Sequence, residues 1–311
     1  MAKSVLSAPH FQNEEAAFAY VEAKLWPTGP VCPFCGERER IGVLNGKTTR
    51  PGLRKCYACK KPFTVRIGTI FESSHLALHL WLQVIHLMCA SKKGISTRQI
   101  QRMLQCSMKT AWFLTHRIRE AMAPATDAAP IGGSGVIVEA DETELAPSRK
   151  TKRNGRRMRK DNKGFVALVE RDGQVRSAVI DGRYMNDVRG VVRANLHPDS
   201  ILHTDGAQFY KGMMPVGQHE SVDHNKMYAR DSNNGRVHCN TAEGFFSIFK
   251  RGLVGTYQHM SPAHLPRYLA EFDFRANTRE KLGFNDVSRA EMALQGFKGK
   301  RLTYETTGAG Q

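Results

Sequence analysis

The stretch Val136-Ile137-Val138-Glu139-Ala140-Asp141 decides how the rest of this chain is read. A mostly apolar, β-branched run meets an aspartate and then a polar turn, which predicts a strand over 136–140 with a carboxylate at its end. A second run, Ile201-Leu202-His203-Thr204, ends in the same way on Asp205. A third acid, Glu243, opens an amphipathic helical stretch over 242–253. Two strand ends and a helix face, distant in sequence, can meet at one edge of a folded sheet. Carboxylates gathered there repel one another, whereas with divalent metal they become a clamp for in-line phosphoryl transfer. Lys250 lies seven residues after Glu243, nearly two helical turns on, so the two share a face where a cation can hold a phosphate. The choice of acids is not forced. Glu139, Glu142 and Glu144 flank Asp141, Asp187 and Asp223 are alternative acids, and Asn240 lies one turn before Glu243 with an amide oxygen to offer.

Working outward, residues 165–170 and 175–180 read as a hairpin across Arg171-Asp172-Gly173-Gln174. Asn186-Asp187 opens a helix to 196, followed by a strand at 200–204, a short helix at 207–213 and a short strand at 219–223. Helices from 243 and over 262–277 complete the region. This order fits an α/β domain over 136–280, a ribonuclease-H-like mixed sheet with flanking helices. Between its first strand and the hairpin, residues 147–164 carry Arg149, Lys150, Lys152, Arg153, Arg156, Arg157, Arg159, Lys160 and Lys163 against one acid, Asp161. Such a run cannot pack in a core. It reads as a mobile loop that orders on phosphates, the alternative being a solvated charge run.

Upstream, 124–135 is rich in Ala, Pro and Gly and reads as a linker. Residues 73–123 read as three helices. The first, 76–90, is apolar nearly all round and should be buried. Gly94-Ile95-Ser96-Thr97 is a break with an N-cap, Ile100, Met103 and Leu104 line a short second helix, and Cys106-Ser107 makes the turn. Met108, Ala111, Trp112, Thr115, Ile118 and Met122 mark the inner face of the third, with Lys109, Thr110, His116, Arg117 and Arg119 outward. This is a helix-turn-helix-like pattern, with Lys109, Thr110 and Arg117 as candidate DNA contacts, and an ordinary helical bundle as the alternative.

Within 31–72, Cys32-Pro33-Phe34-Cys35 and Cys56-Tyr57-Ala58-Cys59 form two knuckles separated by 20 residues. Two such pairs close a tetrahedral four-thiolate shell, which suits structural Zn²⁺ and leaves no open coordination position. Gly36 and Lys60-Lys61 fit the sharp turns after each pair. Arg38, Arg40, Lys47, Arg50, Arg54 and Lys55 of this zinc ribbon are phosphate contacts or a solvated face. Residues 1–30 hold a leading helix stopped by Trp26-Pro27-Thr28-Gly29-Pro30, and 281–311 reads as a C-terminal tail.

Composition supports the same picture. Forty-six Lys and Arg against 29 Asp and Glu give a formal charge of +17 over 311 residues, which predicts a polyanionic partner, most simply nucleic acid. No apolar run approaches a membrane span, and the N-terminus lacks the apolar core of a secretory signal, so a cytoplasmic place is expected. Seven cysteines, four of them in two tight pairs, fit metal binding in a reducing compartment better than a disulfide framework.

Taken together, these pieces resemble the insertion-sequence transposases that carry a zinc ribbon ahead of a DDE catalytic domain, within the retroviral-integrase-like superfamily. The matching residues are the two cysteine pairs, Val138-Glu-Ala-Asp141-Glu-Thr143, His203-Thr-Asp205-Gly206, His238-Cys-Asn240-Thr-Ala-Glu243-Gly-Phe, Phe249-Lys250-Arg-Gly252 and Glu271-Phe-Asp-Phe-Arg-Ala-Asn277. The resemblance covers residues 14–280 and is specific as an ordered set. It implies a DNA transposase that binds double-stranded terminal inverted repeats and target DNA. Cleavage and strand transfer would depend on Mg²⁺ or Mn²⁺, with Asp141, Asp205 and Glu243 as the catalytic triad and Lys250 as helper. Relatives vary at the third position: 37 residues separate Asp205 from Glu243, and 34 separate it from Asn240, the rival. Joining two element ends implies a homo-oligomer on DNA, at the bacterial nucleoid. A catalytically inactive DNA-binding regulator and a nuclease of the same fold are the competing classes.

Overall fold

The structure, a computed structural model, describes residues 4–125, 127–145, 152–153, 156–157, 163–181, 185–212, 218–223, 226–297 and 299–300. They fall into two compact units, Met1–Ala123 with Asn285–Gln311, and Pro124–Phe284.

In the first unit a short helix α1 (Pro9–Gln12) leads into α2 (Glu14–Leu25), whose N-cap Asn13 accepts the Ala16 N–H at 3.0 Å. Next comes a three-stranded antiparallel sheet, β1 (Ile41–Val43), β2 (Arg54–Cys56) and β3 (Pro62–Phe63). Helix α3 (Leu78–Ala90) buries Leu78, Trp81, Leu82, Val84, Ile85, His86, Met88 and Cys89, as an apolar surface on nearly every side requires. Helices α4 (Thr97–Leu104) and α5 (Met108–Met122) are capped by Ser96 and Ser107, each taking the N–H three residues on at 3.1 Å. Gln105, left-handed at φ 50°, turns the chain between them.

The outward face expected for α5 is only partly outward. Lys109 and Thr110 are exposed on the first turn, but His116, Arg117 and Arg119 are buried and Met108 is exposed. Arg117 turns inward because the carbonyls of Ile70 and Glu72 need donors: its Nη1 reaches both at 2.8 Å, and its guanidinium lies over the Phe113 ring. Arg117 is therefore bound inside the first unit rather than presented outward.

The second unit contains β4 (Ile137–Glu144), a two-rung ladder of β5 (Lys152–Arg153) with β6 (Arg156–Arg157), β7 (Lys163–Glu170), β8 (Val175–Asp181), α6 (Met185–Asn195), β9 (Ile201–Asp205), β10 (Gln218–Val222), a small ladder of β11 (Arg230–Ser232) with β12 (Gly235–Val237), α7 (Asn240–Gly252) and α8 (Leu265–Asn277). Five strands form one mixed sheet in the order β10-β9-β4-β7-β8. The β10–β9 and β9–β4 pairs are parallel, and β4–β7 and β7–β8 antiparallel. Strand β7 carries the continuous buried run Phe165 to Val169 because both faces of the sheet are covered. One face packs α7 and α8 through Phe165, Ala167, Phe245, Phe249 and Phe272, and the other packs Val188 and Val192 of α6 against Val166 and Leu168. Helix α7 buries Ala242, Phe245, Phe246 and Phe249, a spacing that aims one stripe at the sheet.

Several expected boundaries change. Strand β4 does not stop at 140 but runs to Glu144, because β7 pairs with it as far as Gly164. The basic run expected as a loop over 147–164 includes the β5–β6 ladder, and its last two residues belong to β7. Arg149, Lys150, Arg159 and Lys160 lie outside the described residues. The helix expected at 207–213 is a single 3-10 turn, Gln208–Tyr210, within the described residues. The linker's end joins the second unit: Ile131 is buried, donates its N–H to Asn195 O and accepts the His197 N–H, each at 2.8 Å. Residues after 281 are not simply a tail. Helix α9 (Asp286–Gln295), closed by an Asn285–Ser288 capping box, packs on α3, and Phe297 meets Phe71 edge-on in the first unit. No helix among the described residues is long and apolar enough to cross a membrane.

Candidate functional site

The parallel β4–β9 register pairs Ala140 with Thr204, so Asp141 and Asp205 follow side by side at the ends of that pairing. One carboxylate oxygen from each of Asp141, Glu142 and Asp205 lies within 4.8 Å of the other two. Burial, together with the charges of Glu142, Asp205 and Glu243, pushes the Asp141 carboxyl up to about 7. Acids so close stay ionised together only beside a compensating cation. An all-oxygen, all-carboxylate set is the chemistry that Mg²⁺ and Mn²⁺ take.

The surrounding bonds hold these carboxylates. The Glu142 N–H donates to Asp141 Oδ1 at 2.8 Å, and Ala207 N–H to Asp205 Oδ1 at 3.1 Å. Buried Tyr210 donates its hydroxyl to Glu142 Oε2 at 2.9 Å, and burial beside Glu142 keeps that phenol protonated. Asp205 and Asp223 also line a cleft of about 620 Å³ with Lys211, Lys226 and Arg230, and Lys226 Nζ lies 3.6 Å from Asp223.

The remaining predicted residues stand on α7. Asn240, Glu243, Ser247 and Lys250 are all exposed and fall on one stripe of the helix. Glu243 is not part of the three-carboxylate cluster, although its charge bears on Asp141. Asp187 lies in the first turn of α6.

Two roles escaped the sequence. Glu142 reads there only as a neighbour of Asp141, although Glu and Asp in tandem at a strand's edge-pairing limit was a usable signal. Glu139 reads as another flanking acid, but it is fully buried and caps α7: Thr241 N–H and Ala242 N–H donate to its Oε2 at 2.8 and 3.1 Å. The motif from Glu271 to Asn277 also proves to be a clamp on the edge strand β8. Asp273 accepts from Ser177 N–H and Oγ at 2.7 Å, and Asn277 exchanges two bonds with Val175.

In the first unit, the Sγ atoms of Cys32, Cys35, Cys56 and Cys59 gather within 4.8 Å, with Cys32–Cys59 at 3.7 Å and Cys35–Cys56 at 3.6 Å. Tetrahedral Zn–S bonds of about 2.3 Å require sulfur–sulfur edges of about 3.8 Å, so the four thiols fit Zn²⁺. They are too far apart for a disulfide. Gly36 and Lys60, at φ 76° and 62°, turn the chain just after each pair.

Comparison with known proteins agrees with both centres. Residues 12–62 match the transposase zinc-ribbon domain, and residues 132–277 match the ISXO2-like transposase domain. A protein of the transposable element ISH50 from Halobacterium salinarum is 25% identical over 284 residues, covering 88% of this chain and 94% of its own length. With both domains in order, and the four cysteines and paired aspartates falling inside them, the chain belongs to the zinc-ribbon insertion-sequence transposases of the DDE type.

Proposed function

We propose that this chain moves its own element by binding double-stranded terminal repeats, cleaving their ends and transferring the 3′ ends to target DNA. The observation that carries this reading is the gathering of Asp141, Glu142 and Asp205 within 4.8 Å at the limit of a parallel strand pair, in a chain of net charge +17. The strand order, with two parallel strands on one side of β4 and an antiparallel hairpin on the other, supports a ribonuclease-H-like sheet.

Asp141 and Asp205 are the two fixed corners. Glu243 is the third, since a carboxylate neutralises a cation better than the Asn240 amide and its charge bears on Asp141. A divalent metal held by these carboxylates would supply Lewis-acid stabilisation of the attacking and leaving oxygens. Tyr210 orients the Glu142 carboxylate and the Ala207 N–H that of Asp205. Lys250, on the Glu243 stripe, holds a phosphate. The α4–α5 pair acts as a helix-turn-helix-like reader with Lys109 and Thr110 toward DNA, and two copies hold the two ends.

The test is cleavage and joining of a duplex bearing the inverted repeats that flank this reading frame, with Mg²⁺ or Mn²⁺. Wild type is expected to nick and join. Asp205→Asn is expected to do neither. Glu243→Gln should lose more than the about 10–100-fold typical of changes outside the ligand shell. Asn240→Ala should stay within about tenfold, 1.4 kcal/mol. Equal products from wild type and Asp205→Asn would sink the reading, and a larger loss at Asn240 than at Glu243 would reassign the third corner. Cleavage of RNA–DNA hybrids without joining would make the protein a nuclease instead.

A further inference from the structure

Helix α7 begins without a cap of its own. Its N-cap residue, Cys239, offers no side-chain acceptor to the free N–H groups of the first turn. The acceptor comes from the sheet, on Glu139, which has no exposed surface and stands two residues before Asp141 on the same face of β4. Oε2 takes the N–H groups of Thr241 and Ala242, and Oε1 takes the Thr241 hydroxyl at 2.9 Å and Arg171 Nε at 2.9 Å. His238 Nδ1 lies 3.1 Å from Oε1.

Arg171, at the turn after β7, spreads this knot. Its Nη1 donates to Arg236 O at 2.6 Å, and its Nη2 to His238 O at 3.2 Å and to His203 Nδ1 at 3.1 Å. His203 is the register partner of Glu139 and stands two residues before Asp205. One ion pair, between buried Glu139 and half-buried Arg171, thus ties both aspartate-bearing strands to the first turn of α7. A buried carboxylate is a costly cap, since its desolvation must be offset by every one of these bonds. A neutral Ser at the buried position 239 would cap the helix without burying a charge. What a strand-borne acid adds is a fixed place for the helix against that strand.

We propose that Glu139 is a positioning residue: it sets the first turn of α7, and with it Asn240 and Glu243, against Asp141 and Asp205, so that the helix can complete the metal site. This rests on reading the three carboxylates as that site.

The experiment compares full-length wild type with Glu139→Gln and Thr241→Ala. It measures Mn²⁺ binding by calorimetry, amide exchange over 240–246, and cleavage against Mn²⁺ concentration. Glu139→Gln keeps the shape but turns an amide NH₂ toward donors. It is expected to weaken Mn²⁺ binding about 10–100-fold, as changes behind a ligand shell do. Exchange over 240–246 should rise, and cleavage should recover at high Mn²⁺. Thr241→Ala loses one hydroxyl contact and keeps both backbone bonds, so it should shift the Mn²⁺ midpoint in the same direction by less; this holds the test open if Glu139→Gln does not fold. Faster exchange with unchanged Mn²⁺ affinity would reduce Glu139 to a helix cap and overturn the proposal alone. A wild type that binds no Mn²⁺ would overturn it together with the metal-site reading.

Discussion

Asp141 is the residue on which the acidic site turns. Its carboxyl, pushed up to about 7 by burial and by the neighbouring acids, starts from about 3.9 in an unfolded chain. The folded state therefore binds a proton that the unfolded chain has already lost, and between those two values folding stability falls as pH rises, levelling above about 7. A divalent cation reverses the sign, because it binds the deprotonated form. Without divalent metal, the second unit is expected to melt at a lower temperature at pH 7.5 than at pH 5.5, with zinc retained throughout. Asp141→Asn should flatten that dependence and raise the metal-free melting point by a few degrees, at the expense of the Mg²⁺-induced rise that wild type shows at pH 7.5. Scanning calorimetry at the two pH values, with and without Mg²⁺, checks this. Identical pH profiles for wild type and Asp141→Asn would show that the clustered charges are relieved by some other group.

Elements were legible where one period ran cleanly. The mostly apolar, β-branched run before Asp141, the continuous apolar run of β7 and the stripe Ala242, Phe245, Phe246 and Phe249 each identify their element. Legibility failed where a polar side chain finds its partner far along the chain. Arg117 reads as outward only if polarity is equated with exposure; its partners, the carbonyls of Ile70 and Glu72, lie some 45 residues upstream. Glu139 meets Thr241 across 102 residues, a pairing no local pattern contains. The same distinction divides α5 in two. Lys109→Ala on the exposed first turn should weaken DNA binding and lower melting far less than Arg117→Ala. Arg117→Ala should destabilise the first unit by about 1–3 kcal/mol, the usual cost of stranding buried acceptors, while DNA affinity of the folded protein holds. Thermal melts beside fluorescence-anisotropy titrations of a duplex separate them, and a melting loss from Lys109→Ala with no loss of binding would reverse the assignment.

At the scale of the whole molecule, a formal charge of +17 has to meet a polyanion or repel itself, and the basic run before β7 concentrates that requirement. The backbone there pairs Lys152 with Arg157 and Arg153 with Arg156. The charge of this run, read from the sequence, is what phosphates would neutralise. Counterion release then fixes what neutralising substitutions must do. Each phosphate contact adds about 0.9 to the slope of log affinity against log salt on duplex DNA. Replacing Arg153, Arg156 and Arg157 together by Gln should flatten that slope by between about 1 and 3, depending on how many of the three reach phosphate. Affinity should fall most at low salt, and the two curves should converge as salt rises, because the lost term is electrostatic. The zinc content should stay at wild-type level, since the four cysteines belong to the other unit. Anisotropy titrations at several salt concentrations give both slopes directly. Parallel lines of equal slope would place the run away from the DNA backbone and leave the rest of the chain's charge to account for binding.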